Sequence, residues 1–296
     1  MDKKNNIIDT VTGIGAGYAV YRYAPNPMFQ LRMKLSKKYL DTPLSDSEIS
    51  AFKQIGNDLF EQRFKPLGYN LVDVARPENF GYGTKQLEEL TKAYDDYIAA
   101  SKNFIQRAYR KYLKNYYVRD YKLTDSAVLQ GTNAYYAGKS KTFVLNMDKK
   151  PVYLFHEMGH AINAQNPLLK EVSSVYKNPI VRKFWLTAIL ATSLLTNKKT
   201  KEELEQSNNP FAKVNQFVKK NCGILAGLLL LPAVAEECLA NVQGQKLAQS
   251  IVPKEMMKRV TKTHLHSAIG YVLGAVFAGL AMYLANFVRD KIVHKN

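Results

Sequence analysis

Cysteine is scarce in this chain. Cys222 and Cys238 are the only two in 296 residues, and both lie in or beside one apolar run, which excludes a disulfide framework. Acid is short as well: 25 Asp and Glu stand against 42 Lys and Arg, a formal net charge of +17. Such a surface favours anionic partners, whether acidic lipid headgroups, nucleic acid or an acidic substrate. A cleavable signal peptide is not expected, because the apolar stretch after Lys3 and Lys4 carries Asp9 and lacks a small-residue cleavage pattern. A phosphate-cradling glycine loop is also missing. Gly13, Gly15 and Gly17 imitate one, but Tyr18 stands where the last glycine belongs and no strand-helix-strand pattern follows. Those glycines fit a glycine-faced helix in or on a membrane.

The long apolar runs are what the sequence has in place of these features. Ser267 to Val288 carries no charge and matches the roughly 20 residues a spanning helix needs. It holds Gly270, Gly274 and Gly279 and ends at Arg289, Asp290 and Lys291, which suits close helix packing in lipid with a polar stop. Phe184 to Thr196 and Cys222 to Ala235 are shorter and read as an apolar hairpin over 184–235, with Lys198, Lys199, Lys201 and Lys213 in a solvated connection. A fourth run, over 7–24, is a marginal anchor. Together these runs predict a membrane protein, multi-pass if all of them span. Both sides are basic, so orientation stays open.

Between the first run and residue 126 the pattern is polar and helical. Ser45 and Glu48 form a capping box opening a helix through about Gln62. Leu87 to about Lys114 reads as one longer amphipathic helix rich in tyrosine and lysine. No nucleic-acid module accompanies it, so no nucleic-acid partner is expected. Ala127 to Gln130 and Lys141 to Asn146 read as short strands joined through a turn at Gly138.

The chemistry is concentrated after Pro151, in the run His156, Glu157, Met158, Gly159, His160. Residues four apart share a helix face, so His156 and His160 present two imidazoles to one point, as tetrahedral zinc asks. Glu157, one step round, stands beside a metal-bound water without ligating, the position of a general base for peptide hydrolysis. Accidental spacing is a poor account of two of only five histidines. A catalytic zinc wants a third protein ligand and an open position. Glu236 and Glu237 end an apolar run where carboxylates are costly unless paired, protonated or metal-bound. His264 and His266 compete, but they read as flanking the last span at the water boundary.

The His156, Glu157, His160 helix, two apolar segments, and then Glu237 followed by Cys238, Leu239, Ala240 and Asn241 resemble the membrane gluzincins of the HtpX and CAAX-prenyl-protease type. They also resemble the neutral zinc metallopeptidases of the YugP type, with Leu231 and Pro232 shortly before the glutamate. The HtpX-like register, with Ala240 and Asn241 three and four residues on, selects Glu237 over Glu236. It implies that Asn241, standing where the family has aspartate, orients a ligand histidine. Asn133 and Ala134 followed by Phe143, Val144 and Leu145 look like the family's edge strand, which takes an extended substrate by backbone pairing.

The expected fold is mainly α: a helical zincin-type metallopeptidase domain with a short β-hairpin edge and several membrane helices. Residues 1–24 form the anchor and 25–125 a helical region. Residues 126–250 form the peptidase core, with metal helix 151–164, apolar hairpin 184–235 and glutamate helix 236–250. Residues 251–296 supply a basic linker, the membrane helix 267–288 and a basic tail. One Zn2+, a protein or peptide substrate and a bilayer with anionic headgroups are the partners implied. The competing readings are a catalytically silent zinc-binding membrane scaffold, and a basic membrane-surface or nucleic-acid-binding protein. Intact Glu157 argues against the first, and the 267–288 span argues against a soluble nucleic-acid binder.

Overall fold

The computed structural model describes residues 3–23, 43–176 and 179–293. Among these the chain is mainly α-helical, with one small sheet. Contacts divide it into two units built from separated stretches: one gathers Pro43–Ala164 with Ala240–His264, the other the N-terminal helix with Gln165–Leu239 and Leu265–Asn296. Both C-terminal boundaries fall inside continuous helices.

In the Pro43–Ala164 unit, Ser45 caps helix α1 (Asp46–Leu59) through the reciprocal Ser45–Glu48 capping box. Glu48 is also bound by Arg259, Nε to Oε1 at 2.8 Å. That bond, then the Ser45 backbone N–H, hold the Glu48 carboxyl down to about 2. A π-helical turn over Phe60–Phe64 and a short 3-10 turn lead to Gly68, whose φ of 77° is open to glycine at low cost and turns the chain into strand β1 (Asn70–Asp73).

The single amphipathic helix expected over 87–114 is two, α2 (Tyr82–Ala99) and α3 (Phe104–Leu129), packed on each other. The break falls where Asn103 caps α3, its Oδ1 accepting from the Gln106 amide at 2.9 Å. The strand expected at Ala127 to Gln130 is instead the last turn of α3. Val128 is fully buried there, and Gly131 at φ 70° ends the helix. The hairpin partner comes later, as β2 (Tyr135–Ala137) pairing antiparallel with β3 (Thr142–Leu145).

Strand β1 pairs parallel with β3, so the sheet order is β1-β3-β2. This corrects the expected edge strand. Phe143, Val144 and Leu145 form the fully buried centre, while β2 is the edge beside them; Asn133 and Ala134 precede β2 outside the strand, the first exposed and the second buried. The physical reason is that a strand buried along its whole length must pair the backbone N–H and C=O groups on both of its edges. Tyr69 stacks on Phe143 at 5.6 Å, with Phe64 edge-on to the same ring at 5.5 Å. Helix α4 (Tyr153–Asn163) follows and sets Leu154, Phe155 and Met158 into the same core.

The other unit has helices and no strand among its described residues. It contains α5 (Lys3–Tyr23), placed here by contact although first in the chain, α6 (Pro167–Tyr176), α7 (Pro179–Leu195), α8 (Lys201–Glu205), and most of α9 (Ala212–Gln249) and α10 (Lys254–Val293). Glycines let these helices touch. A Cβ at Gly17 would lie 2.7 Å from the Ala285 carbonyl oxygen and one at Gly13 2.8 Å from Val293, whereas Gly15 faces open space. Gly223 and Gly279 meet the same way across α9 and α10.

Arg289, expected at the polar end of a span, is fully buried. Its Nε donates to the Leu194 carbonyl at 2.9 Å and its guanidinium to Asp290 and Asn197. Asp290 in turn accepts from buried Lys219 at 2.7 Å. The cluster satisfies the carbonyls that end α7, which explains charge at that depth.

Among the described residues, two helices are long and apolar enough to cross a membrane, α9 and α10. Only 28% and 33% of their most apolar windows is buried, the opposite of a soluble core helix. At 17 residues, α7 extends about 26 Å, short of a bilayer core of about 30 Å. With α5 and α7 outside that class, the four-span multi-pass arrangement is not supported.

Candidate metal centre

Helix α4 and the stretch of α9 after Leu239 approach more closely than side chains normally permit. A Cβ on Gly159 would stand 2.0 Å from the Ala240 carbonyl oxygen, and one on Gly244 2.3 Å from the Phe155 carbonyl oxygen. The glycine inside the His-Glu-Met-Gly-His run is therefore a packing requirement. It sets the backbones against each other at the level of the two histidines.

At that crossing the Nε2 atoms of His156 and His160 face one another at 3.1 Å. Two ligands of a tetrahedral zinc at Zn–N of about 2.0–2.1 Å stand roughly 3.3 Å apart, so the pair is already near ligand spacing. Asn241 Oδ1 lies 2.9 Å from His156 Nδ1. It accepts there from an Nδ1–H, which leaves the Nε2 lone pair directed at the gap. Glu237 precedes Asn241 by four residues on the same unbroken helix and shares its face. The ligand atoms of His156, His160 and Glu237 all lie within 4.8 Å of one another, with His160 and Glu237 buried. This group can hold a metal ion. Comparisons with family models, with curated proteins and with solved structures gave no match. The chemistry of the centre is therefore read from its own donors.

Two imidazoles and one carboxylate are the donor set of a three-ligand zinc site, and the short gap between them suits a small ion better than calcium, which asks for six or more oxygens. Glu157 and Glu236 are buried at 5% and 6% exposure and stand outside the ligand group. Tyr135 and Tyr136 on β2 have other partners: the Tyr135 hydroxyl lies 3.5 Å from the Tyr121 hydroxyl, and the Tyr136 ring packs on Phe143. Burial, more than any neighbour, raises both phenols above their usual range.

His264 is the site residue that sequence reading set aside. It lies three residues before the apolar run 267–288, is 4% exposed, and places its ring centroid 6.1 Å from that of His156. Burial first, and then His156, holds its pKa down to about 3, so it stands as a neutral imidazole. A signal was available: Met257, Val260 and His264 continue one helical stripe, and the first two pack into the core. His266 is off that stripe.

Proposed function

We propose that the protein is a membrane-anchored zinc metallopeptidase of gluzincin type, hydrolysing peptide bonds. The observation that carries this reading is the paired His156 and His160 Nε2 atoms at 3.1 Å with Glu237 inside the same group, while a second buried glutamate, Glu157, stands one residue from the first histidine. A purely structural site needs no such non-ligand acid.

His156, His160 and Glu237 would hold the ion, and zinc when bound supplies an acidified water and a polarised substrate carbonyl. The chain's own residues do the remainder. Asn241 keeps the His156 ring in the tautomer whose Nε2 can ligate. Glu157, buried on the metal-bearing helix, accepts the proton from the attacking water and returns it to the departing amine. The edge strand β2 has one side paired to β3, and its other side suits an extended peptide. The exposed apolar faces of α9 and α10, with Ile224, Leu228, Val276 and Tyr283 each about half exposed or more, support anchoring of those two helices in lipid.

Metal analysis and peptide hydrolysis on purified protein test this together. About one zinc per chain is expected, with Glu157→Gln retaining the metal and losing turnover, because the amide is nearly isosteric but cannot take the proton. A full zinc complement in a His156→Ala, His160→Ala double variant overturns the site. Wild-type turnover in Glu157→Gln overturns the mechanism.

A further inference from the structure

The first turn of α3, just after its junction with α2, carries the two most exposed large apolar side chains among the described residues. Phe104 is 83% exposed and Ile105 78%. Their exposure is not looseness of the turn. Asn103 Oδ1 caps the Gln106 amide at 2.9 Å, Gln106 Oε1 accepts from the Lys102 amide at 3.0 Å, and the Arg110 guanidinium lies 3.9 Å over the Tyr97 ring. Lys114 closes the inner side on Asp95 at 2.6 Å. The backbone amides of the turn are thus capped, while its apolar side chains are turned out.

From Ile105 the exposed stripe continues along α3 at helical spacing through Tyr109 and Tyr112, both about half exposed. The charge of the segment itself has one sign, with Asp95 and Asp96 just before it and Asp120 just after it. From Tyr97 through Arg119 the chain has six cations, Lys102, Arg107, Arg110, Lys111, Lys114 and Arg119, and no acid. Of these, Arg110 and Lys114 are engaged with α2, while Lys102, Arg107, Lys111 and Arg119 are exposed around the stripe.

We infer that this hairpin tip is a membrane-docking element that inserts Phe104 and Ile105 at the headgroup boundary of an anionic bilayer, with Tyr109 and Tyr112 in the interface and the exposed cations on lipid phosphates. The combination is that of an interfacial element: an aliphatic and an aromatic side chain at the leading edge, tyrosines behind them, and a basic collar. Basic residues are drawn to an anionic surface, and the attraction decays within a Debye length, so the apolar tip and the collar act together only at contact. Nucleic acid would use the cations and could stack on Phe104, but it gives no reason for Ile105, which has no π-face. The element is separate from the metal centre, and its failure would leave the peptidase reading untouched.

The test places a reporter at the tip. Full-length protein carrying Phe104→Trp in a Trp185→Phe background is reconstituted in nanodiscs of zwitterionic lipid alone, or with a third of anionic phosphatidylglycerol, with and without brominated acyl chains. In anionic discs the tryptophan emission is expected to shift to the blue and to be quenched by bromolipid. Both effects are expected to be lost in zwitterionic discs and in a Lys102→Glu, Arg107→Glu, Lys111→Glu variant. Solvent-like, unquenched emission in anionic discs overturns the inference. So does quenching indifferent to lipid charge, or a response to single-stranded nucleic acid in place of bromolipid.

Discussion

Replacing Gly159 by alanine sets two known effects against each other. In a helix interior, alanine is favoured over glycine by up to about 1 kcal/mol. Here the new Cβ would stand 2.0 Å from the Ala240 carbonyl oxygen, 1 Å inside the 3.0 Å limit below which such contacts essentially never occur. That oxygen belongs to a helix backbone and cannot rotate away, so α4 and α9 must separate by about the same 1 Å. Overpacking of this kind costs about 1–3 kcal/mol, so a net destabilisation of up to about 2 kcal/mol is expected despite the propensity gain. The larger consequence is at the site. Metal–ligand distances hold to about 0.2 Å, and α9 carries both Glu237 and Asn241, so a shift of 1 Å withdraws one ligand and the acceptor that orients another. Zinc affinity should fall more than about 100-fold, beyond what loss of an outer-shell partner alone produces. The assay is zinc stoichiometry and competitive chelator titration on purified full-length protein, beside its thermal midpoint. Gly15→Ala serves as control, since nothing lies within 4 Å of its Cβ position, and should leave zinc binding unchanged. Wild-type zinc affinity in Gly159→Ala would refute the claim that this crossing positions the ligands.

Glu237→Ala should lose the metal and Glu236→Ala keep it, because adjacent helical positions are about 100° apart and only Glu237 joins the ligand group; chelator titration of the pair decides. Asn241→Ala should weaken zinc binding about 10- to 100-fold by releasing the His156 Nδ1–H, and unchanged affinity would remove Asn241 from the site. Glu48, held down to about 2 by Arg259 and the Ser45 amide, contributes stability that is complete above its ordinary value near 4.5 and is lost as pH falls from there toward 2. With the pair about a quarter exposed, the contribution is about 1 kcal/mol or less. Thermal melts of Glu48→Gln against pH should show a flatter acid limb than wild type, and identical limbs would count against the bond.

What residue order alone determined here is what depends on short-range periodicity. Two histidines four apart must share a helix face, Glu237 must share one with Asn241, and a serine three residues before a glutamate caps a helix start; each follows from 3.6 residues per turn without any partner in view. The apolar run 267–288 belongs to the same class, since its length and lack of charge are local facts. What only the tertiary structure decided depends on contacts between distant residues. Asn70–Asp73 is four residues with no periodic signature, and it becomes a strand because it pairs with Thr142–Leu145 more than 60 residues later, which also moves Phe143 from the edge to the centre of the sheet. Arg289 reads as a solvated stop until the carbonyls ending α7 are brought to it. His264 reads as a boundary residue until the start of α10 packs into the core beside His156. In each case burial depends on which surface arrives from elsewhere in the chain, and that is a property of packing that no window along the sequence contains.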